Sequence, residues 1–135
     1  MSQRQGKQAT IMLVKAANGV GTSLDVSPYR HIGIAIVGAS SPALTVKCQG
    51  SFFMKTDAGL DFSTTPSAAN PWDYVGMDDL QDGSFIPGDT GIPFTGSNDV
   101  RQFKVNTDEL RTLNFIVSGY SAGNVTIYAF PISNQ

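Results

Sequence analysis

His31 and Cys48 are the side chains best suited to nucleophilic or metal chemistry, and each is the single residue of its type in the chain. A Ser or Cys nucleophile usually needs an adjacent base, most often His. His31 follows Tyr29-Arg30 at the mouth of an apolar run, and no Gly-x-Ser-x-Gly elbow or comparable nucleophile context occurs. It reads as a strand-end or interface imidazole. Cys48 shares a period-two face with Leu44 and Val46 and reads as a small core residue. One His and one Cys cannot complete a zinc tetrahedron without several carboxylates. Asp78-Asp79-Leu80-Gln81-Asp82-Gly83 offers the hard oxygens calcium prefers, but its spacing departs from an EF-hand loop, and a turn at Asp82-Gly83 is the plainer reading. Glu109 is the one glutamate, which leaves little for paired-carboxylate glycoside hydrolysis. Gly19-Val20-Gly21 lacks the Lys-Ser/Thr and the following helix of a phosphate cradle. No catalytic residues, metal or cofactor are expected, and the chain is not expected to be an enzyme.

Binding chemistry is better supplied. Trp72 and Tyr74, with Asn70, Asp73 and Asp78 nearby, have the groups to stack on a sugar and hydrogen-bond its hydroxyls. The same aromatic pair would also serve as an interface anchor, or would close one end of the core. All three readings stay open on these residues alone.

The elements that position these groups are short and extended. Ile32, Ile34 and Ile36 fall on one face at period two, opposite Gly33 and Ala35, whose small size points to something packed closely there. Leu44-Thr45-Val46-Lys47-Cys48 alternates again and runs through Gly50 into Phe52, Phe53 and Met54. Ile11-Met12-Leu13-Val14 precedes a turn at Asn18-Gly19, and Trp72-Asp73-Tyr74-Val75-Gly76-Met77 reads as one strand. Residues 86–93 read as consecutive turns in a long exposed loop, because Pro cannot donate to a ladder while Gly permits φ > 0. Residues 113–117 and 125–130 alternate on either side of Ser121-Ala122-Gly123-Asn124 and are expected to form a hairpin. Eight or nine short strands with irregular loops predict an all-β fold, an antiparallel β-sandwich of jelly-roll type.

With 135 residues and 41% hydrophobic content, the chain suits a single domain over residues 11–135, preceded by a flexible polar arm over residues 1–10. Its longest apolar runs fall far short of a membrane helix, and residues 1–10 lead into too few apolar residues for a secretion signal. A net charge of −2 gives no global reason to expect nucleic acid. Charge is nonetheless segregated: residues 1–55 hold six Lys/Arg against Asp25, whereas residues 56–99 hold eight Asp and no Lys or Arg. Such a pattern allows a basic arm of one copy to meet an acidic loop of a neighbour, or simply makes two solvated surfaces.

Four segments carry a resemblance: Leu24-Asp25-Val26-Ser27-Pro28-Tyr29-Arg30-His31-Ile32, Leu44-Thr45-Val46-Lys47-Cys48-Gln49-Gly50-Ser51, Asn70-Pro71-Trp72-Asp73-Tyr74-Val75 and Asp99-Val100-Arg101-Gln102-Phe103-Lys104-Val105-Asn106. In this order, over roughly residues 22–130, the chain resembles small virion proteins of tailed bacteriophages. The resemblance implies a capsid cement or decoration protein of jelly-roll type, similar to those that clamp major capsid subunits on some short-tailed phages. It implies a homo-oligomer, dimer or trimer, on the capsid surface, made in the host cytoplasm, with the major capsid protein as partner and neither nucleic acid nor membrane. Arg4 and Lys7 in the arm are then expected to face an acidic partner surface, with Trp72 and Tyr74 as further partner-binding candidates. The competing expectation is a carbohydrate-binding or host-recognition module, which requires an open groove with Trp72 exposed.

Overall fold

β-branched and aromatic residues at period two favour extended backbone. All eleven elements of the computed structural model, which describes residues 3–5, 8–54, 56 and 60–134, are strands. Two of them organise the rest. β5 (His31–Ser51) and β11 (Thr112–Asn134) pair antiparallel almost end to end, from Thr112 opposite Ser51 to Ile132 opposite His31. Each bends once, and the bends lie side by side, with Ala122 opposite Ala43 and Asn124 opposite Ala39. In β5 the bend is made by Ser40 and Ser41, at φ of 58° and 54°; in β11 it is made by Gly119 and Gly123, at 59° and 73°.

The flanking strands follow the same corner. β1 (Gln3–Gln5), β2 (Ala9–Lys15), β3 (Gly19–Val20) and β4 (Leu24–Asp25) run one after another antiparallel to β11. β9 (Ile92–Thr95) and β10 (Asp99–Asn106) do the same along β5. The breaks between β2 and β3 and between β9 and β10 fall at the bend, where side chains hold them. Asn18 Oδ1 accepts from the Tyr120 N–H (2.9 Å), and Asn98 Oδ1 accepts from the Ser41 N–H (2.8 Å). A ribbon of four such tracks is therefore bent double into two layers. β6 (Asp73–Val75) extends one layer beside β5, while β7 (Met77–Asp79) and β8 (Phe85–Ile86) extend the other beside β10.

One core lies between the layers. Ile32, Ile34, Ile36, Phe103 and Ile127 from the first layer join Val46, Cys48, Ile92, Leu113 and Phe115 from the second in a single buried cluster. Each large apolar side chain buried this way contributes roughly 1.5–3 kcal/mol. The even-numbered positions of β5 supply the inward face before and after the bend, so the bend changes the strand's direction without exchanging its faces.

The expected all-β, antiparallel architecture is what the chain adopts, with corrections in how the strands connect. Among the described residues there are eleven strands, including two of 21 and 23 residues, where eight or nine short ones were expected. The expected hairpin at Ser121-Ala122-Gly123-Asn124 is a bend within β11. Its positive-φ glycines turn the strand, and both halves find their partners in the equally bent β5 rather than in each other. The expected strand over residues 72–77 divides at Gly76 into β6 and β7, which serve different layers. A Cβ at Gly76 would sit 2.1 Å from the Phe85 ring. The expected loop over residues 86–93 ends early, because Ile92–Thr95 forms an edge strand whose outer side tolerates Pro93. Within the segment expected as an arm, Gln3–Gln5 pair with the end of β11, and β2 begins at Ala9.

The two bend glycines of β11 differ in what surrounds them. A Cβ on Gly123 would lie 2.4 Å from Pro42 Cα, whereas nothing lies within 4 Å of one on Gly119. Gly123→Ala is expected to cost about 2–5 kcal/mol from backbone strain plus collision. Gly119→Ala should cost about 1–2 kcal/mol from the left-handed backbone alone. Urea unfolding of both variants checks this, and equal losses would contradict the close packing of the two bends.

Candidate functional site

The second layer has an unusual outer face. Gln49 and Ser51 point away from the main core, yet both are buried. A buried polar group without a partner costs ~1–3 kcal/mol, so such residues need both a cover and hydrogen bonds. The segment between β5 and β6 supplies them. The Ser51 hydroxyl donates to the Pro71 carbonyl (2.6 Å) and accepts from the Phe53 N–H (3.0 Å). Gln49 Nε2 donates to the Phe62 carbonyl (3.0 Å), and Thr112 Oγ1 donates to the Phe53 carbonyl (2.9 Å). Leu60, Phe62 and Trp72 then close over this polar row as a second, smaller apolar cluster, with Val20 and Tyr74 at its margin.

Trp72 is 4% exposed, and its Nε1 donates to the Asp61 carbonyl at 2.9 Å. Its ring meets Tyr74 edge-on at 5.1 Å between centroids, and Lys47 Nζ sits 5.0 Å from the Tyr74 centroid on the outside. The structure thus brings the two sequence-predicted aromatics together, but as a wall and lid of the second cluster. The faces of Trp72 are not free to stack on a sugar.

Where this cover meets the sheet, a groove of about 370 Å³ opens. Phe52, Phe53, Pro71, Val75 and Leu110 make it predominantly apolar, and Asp73 is the charged residue among its described lining. The alternation through Gly50 predicts that Phe52, Phe53 and Met54 continue the strand. Instead β5 ends at Ser51, because the Ser51 hydroxyl captures the Phe53 N–H and turns the chain. Phe52 and Phe53 are left 67% and 49% exposed. A serine two positions before the second phenylalanine was the available signal, and it is a weak one.

Two further apolar surfaces are open. Leu80 and Val100 line a shallow depression with Gln81, Arg101 and Gln102 on the first layer, near exposed Phe85. Leu13 and Val14 protrude from β2, where the register against β11 shifts. Val14 has φ of 48°, a left-handed conformation that is strained for a β-branched residue, and its N–H is held by Thr126 Oγ1 at 3.0 Å.

The other singled-out residues are placed as follows. Arg4 lies in β1 opposite Ser133, at the edge of the first layer, and Lys7 lies outside the described residues. His31 is half-buried at the start of β5, between Asn106 and Ile132. Cys48 is buried, and burial pushes its thiol far above the ordinary range. In the acidic run, Asp79 is buried in an ion pair with Arg101 and also accepts from the Gln81 N–H (2.9 Å). Asp82 caps the turn at Gly83, accepting from Ser84, whose hydroxyl and N–H hold its carboxyl below the usual carboxylate range. Among the described residues no three His, Cys, Asp or Glu side chains gather as a metal site would require.

No family model matches this chain, and no curated protein matches it either. Solved structures do. The SPBc2 prophage-derived protein YomS superposes with a TM-score of 0.69 at 12% identity, covering 98% of this chain and 96% of that one. The PBSX exported protein XepA gives a TM-score of 0.70 at 9% identity, covering 98% of this chain but 39% of XepA. The fold is therefore shared along nearly the whole chain with phage-derived proteins, at an identity that speaks for architecture alone.

Two outcomes follow from this geometry. Trp72→Ala should destabilise the protein by about 3–5 kcal/mol, as expected for removing a buried aromatic from a cluster. Native Trp72 fluorescence should be blue-shifted and resist acrylamide quenching, whereas a freely quenched signal would mean an open ring. Cys48 should stay unreactive toward a thiol reagent under native conditions and react at the rate of unfolding.

Proposed function

We propose that this chain is a non-enzymatic structural protein of a phage particle. In this reading it binds the outside of a capsid and cements neighbouring major capsid subunits. The observation that carries the reading is the correspondence of fold with a prophage-derived protein over 98% of this chain and 96% of that one. The sequence resemblance to small virion proteins supports it from an independent direction.

Surface chemistry favours contacts with protein over contacts with a small molecule. The exposed apolar side chains of the described residues fall in several places: Phe52 with Phe53, Leu80 with Val100, Leu13 with Val14, and Phe85 beside Gly76. A cement works by touching several subunits at once, so that modest contacts are multiplied by effective concentration and opening of the shell is opposed. Arg4 and Lys7 add positive charge to the N-terminal segment and would face acidic partner surface. The burial of Trp72, with its Nε1 committed to Asp61, weighs against the carbohydrate-binding alternative.

Heads of the encoding phage assembled without this protein provide the test. Added protein is expected to co-sediment with them and to raise the temperature at which they release DNA. The double variant Arg4→Glu with Lys7→Glu should bind about five- to tenfold more weakly at low salt. Retention on glycans with no association with heads would overturn the reading.

A further inference from the structure

From an unpartnered knob and an unpartnered groove on the same chain, we propose that copies of this protein associate head to tail. The Leu13-Val14 bulge of one copy fills the Phe52/Phe53 groove of the next. This deepens the homo-oligomer part of the reading above by naming the surfaces.

The knob is built. Val14 is held in a left-handed conformation that a β-branched side chain disfavours, and the Thr126 hydroxyl fixes its N–H. The consequence is that Leu13 and Val14 protrude, 73% and 58% exposed, from the outer strand of the first layer. Strain of this kind, at ~1–3 kcal/mol, persists only where surrounding structure enforces it. Here it presents apolar surface to solvent, which is costly for a free monomer and useful only when something covers it.

The groove has the matching chemistry. Phe52, Phe53, Val75 and Leu110 give it apolar walls, and its volume of about 370 Å³ is ample for the two aliphatic side chains. Charge is complementary at both ends. Lys15 directly follows the knob, while Asp73 lies in the groove lining, its Oδ1 accepting from the Tyr74 N–H (2.8 Å) and its carboxylate paired with no cation among the described residues.

The knob does not fill its own groove. Leu13 and Val14 are exposed, and no residue of β2 belongs to the groove's described lining. The contact must pass between molecules, and because its two halves are different surfaces it is heterologous, which closes into a ring or continues as a chain.

Purified full-length protein, without capsids, tests this by sedimentation equilibrium. Concentration-dependent oligomers are expected. Leu13→Asp or Phe53→Ser should weaken association about a hundredfold while leaving circular dichroism and melting unchanged, since both side chains are exposed. Lys15→Asp and Asp73→Lys should each weaken it about fivefold at low salt, and the double variant should restore it. Oxidising a mixture of Leu13→Cys and Phe53→Cys proteins should give the mixed disulfide, with little from either variant alone. A monomer at all concentrations, failure of the charge-swapped double variant to recover, or cross-linking of each variant with itself would overturn the proposal. Because capsids are absent, such a failure leaves the capsid-binding assay to be judged separately.

Discussion

The fold depends on two strands turning the same corner together. β5 and β11 stay hydrogen-bonded along both arms only because their bends coincide, with Pro42 of one strand packed against Gly123 of the other. A built Cβ at Gly123 would meet Pro42 Cα at 2.4 Å, so the two backbones pass closer there than any residue with a side chain permits. From that corner follow the layer spacing, the facing of Ile34 and Ile36 toward Val46 and Phe115, and the positions of the short strands that track each arm. A sheet bent double also has fewer independent parts than two separate sheets. Its core cannot loosen in one layer without disturbing the strands they share.

The outer face of the second layer shows how a functional surface arises from a packing problem. Gln49 and Ser51 face away from the main core, and the chain between β5 and β6 covers them and bonds Ser51 Oγ and Gln49 Nε2, while Gln49 Oε1 stays without a partner among the described residues. In doing so it takes Trp72 inward and turns Phe52 and Phe53 outward. The residue with the most recognisable binding chemistry becomes structural, and the exposed apolar surface falls on phenylalanines that read as ordinary strand residues. Acidic side chains are distributed by the same logic. Asp79 neutralises a largely buried Arg101, Asp82 caps a turn, and Asp73 lies at the groove.

The described surface combines exposed apolar side chains with segregated charge, the two features on which contacts with another molecule draw. The bulge at Val14 is informative in this respect. The bulge that carries the consecutive residues Ile11 and Met12 into the core leaves Leu13 and Val14 facing solvent, and covering them in a contact would offset that exposure and the strain at Val14.

The sequence by itself determined the all-β class, the inward faces of the strands and the poverty of catalytic chemistry. These depend on local alternation and residue supply: Ile32, Ile34, Ile36, Leu44, Val46 and Cys48 are buried as their spacing requires. Tertiary structure alone decided connectivity and exposure. Ser40-Ser41 and Gly119 with Gly123 are turn-forming residues in either case, and whether such a turn reverses a chain or bends it depends on a partner strand far away in sequence. Proline in β9 is permitted because β9 is an edge, a fact of sheet order that residues 92–95 do not contain. Trp72 was legible as a sugar platform, an interface anchor or a core-closing aromatic, and its burial was decided by an environment assembled from Gln49, Leu60, Phe62 and Val20, which no local pattern joins.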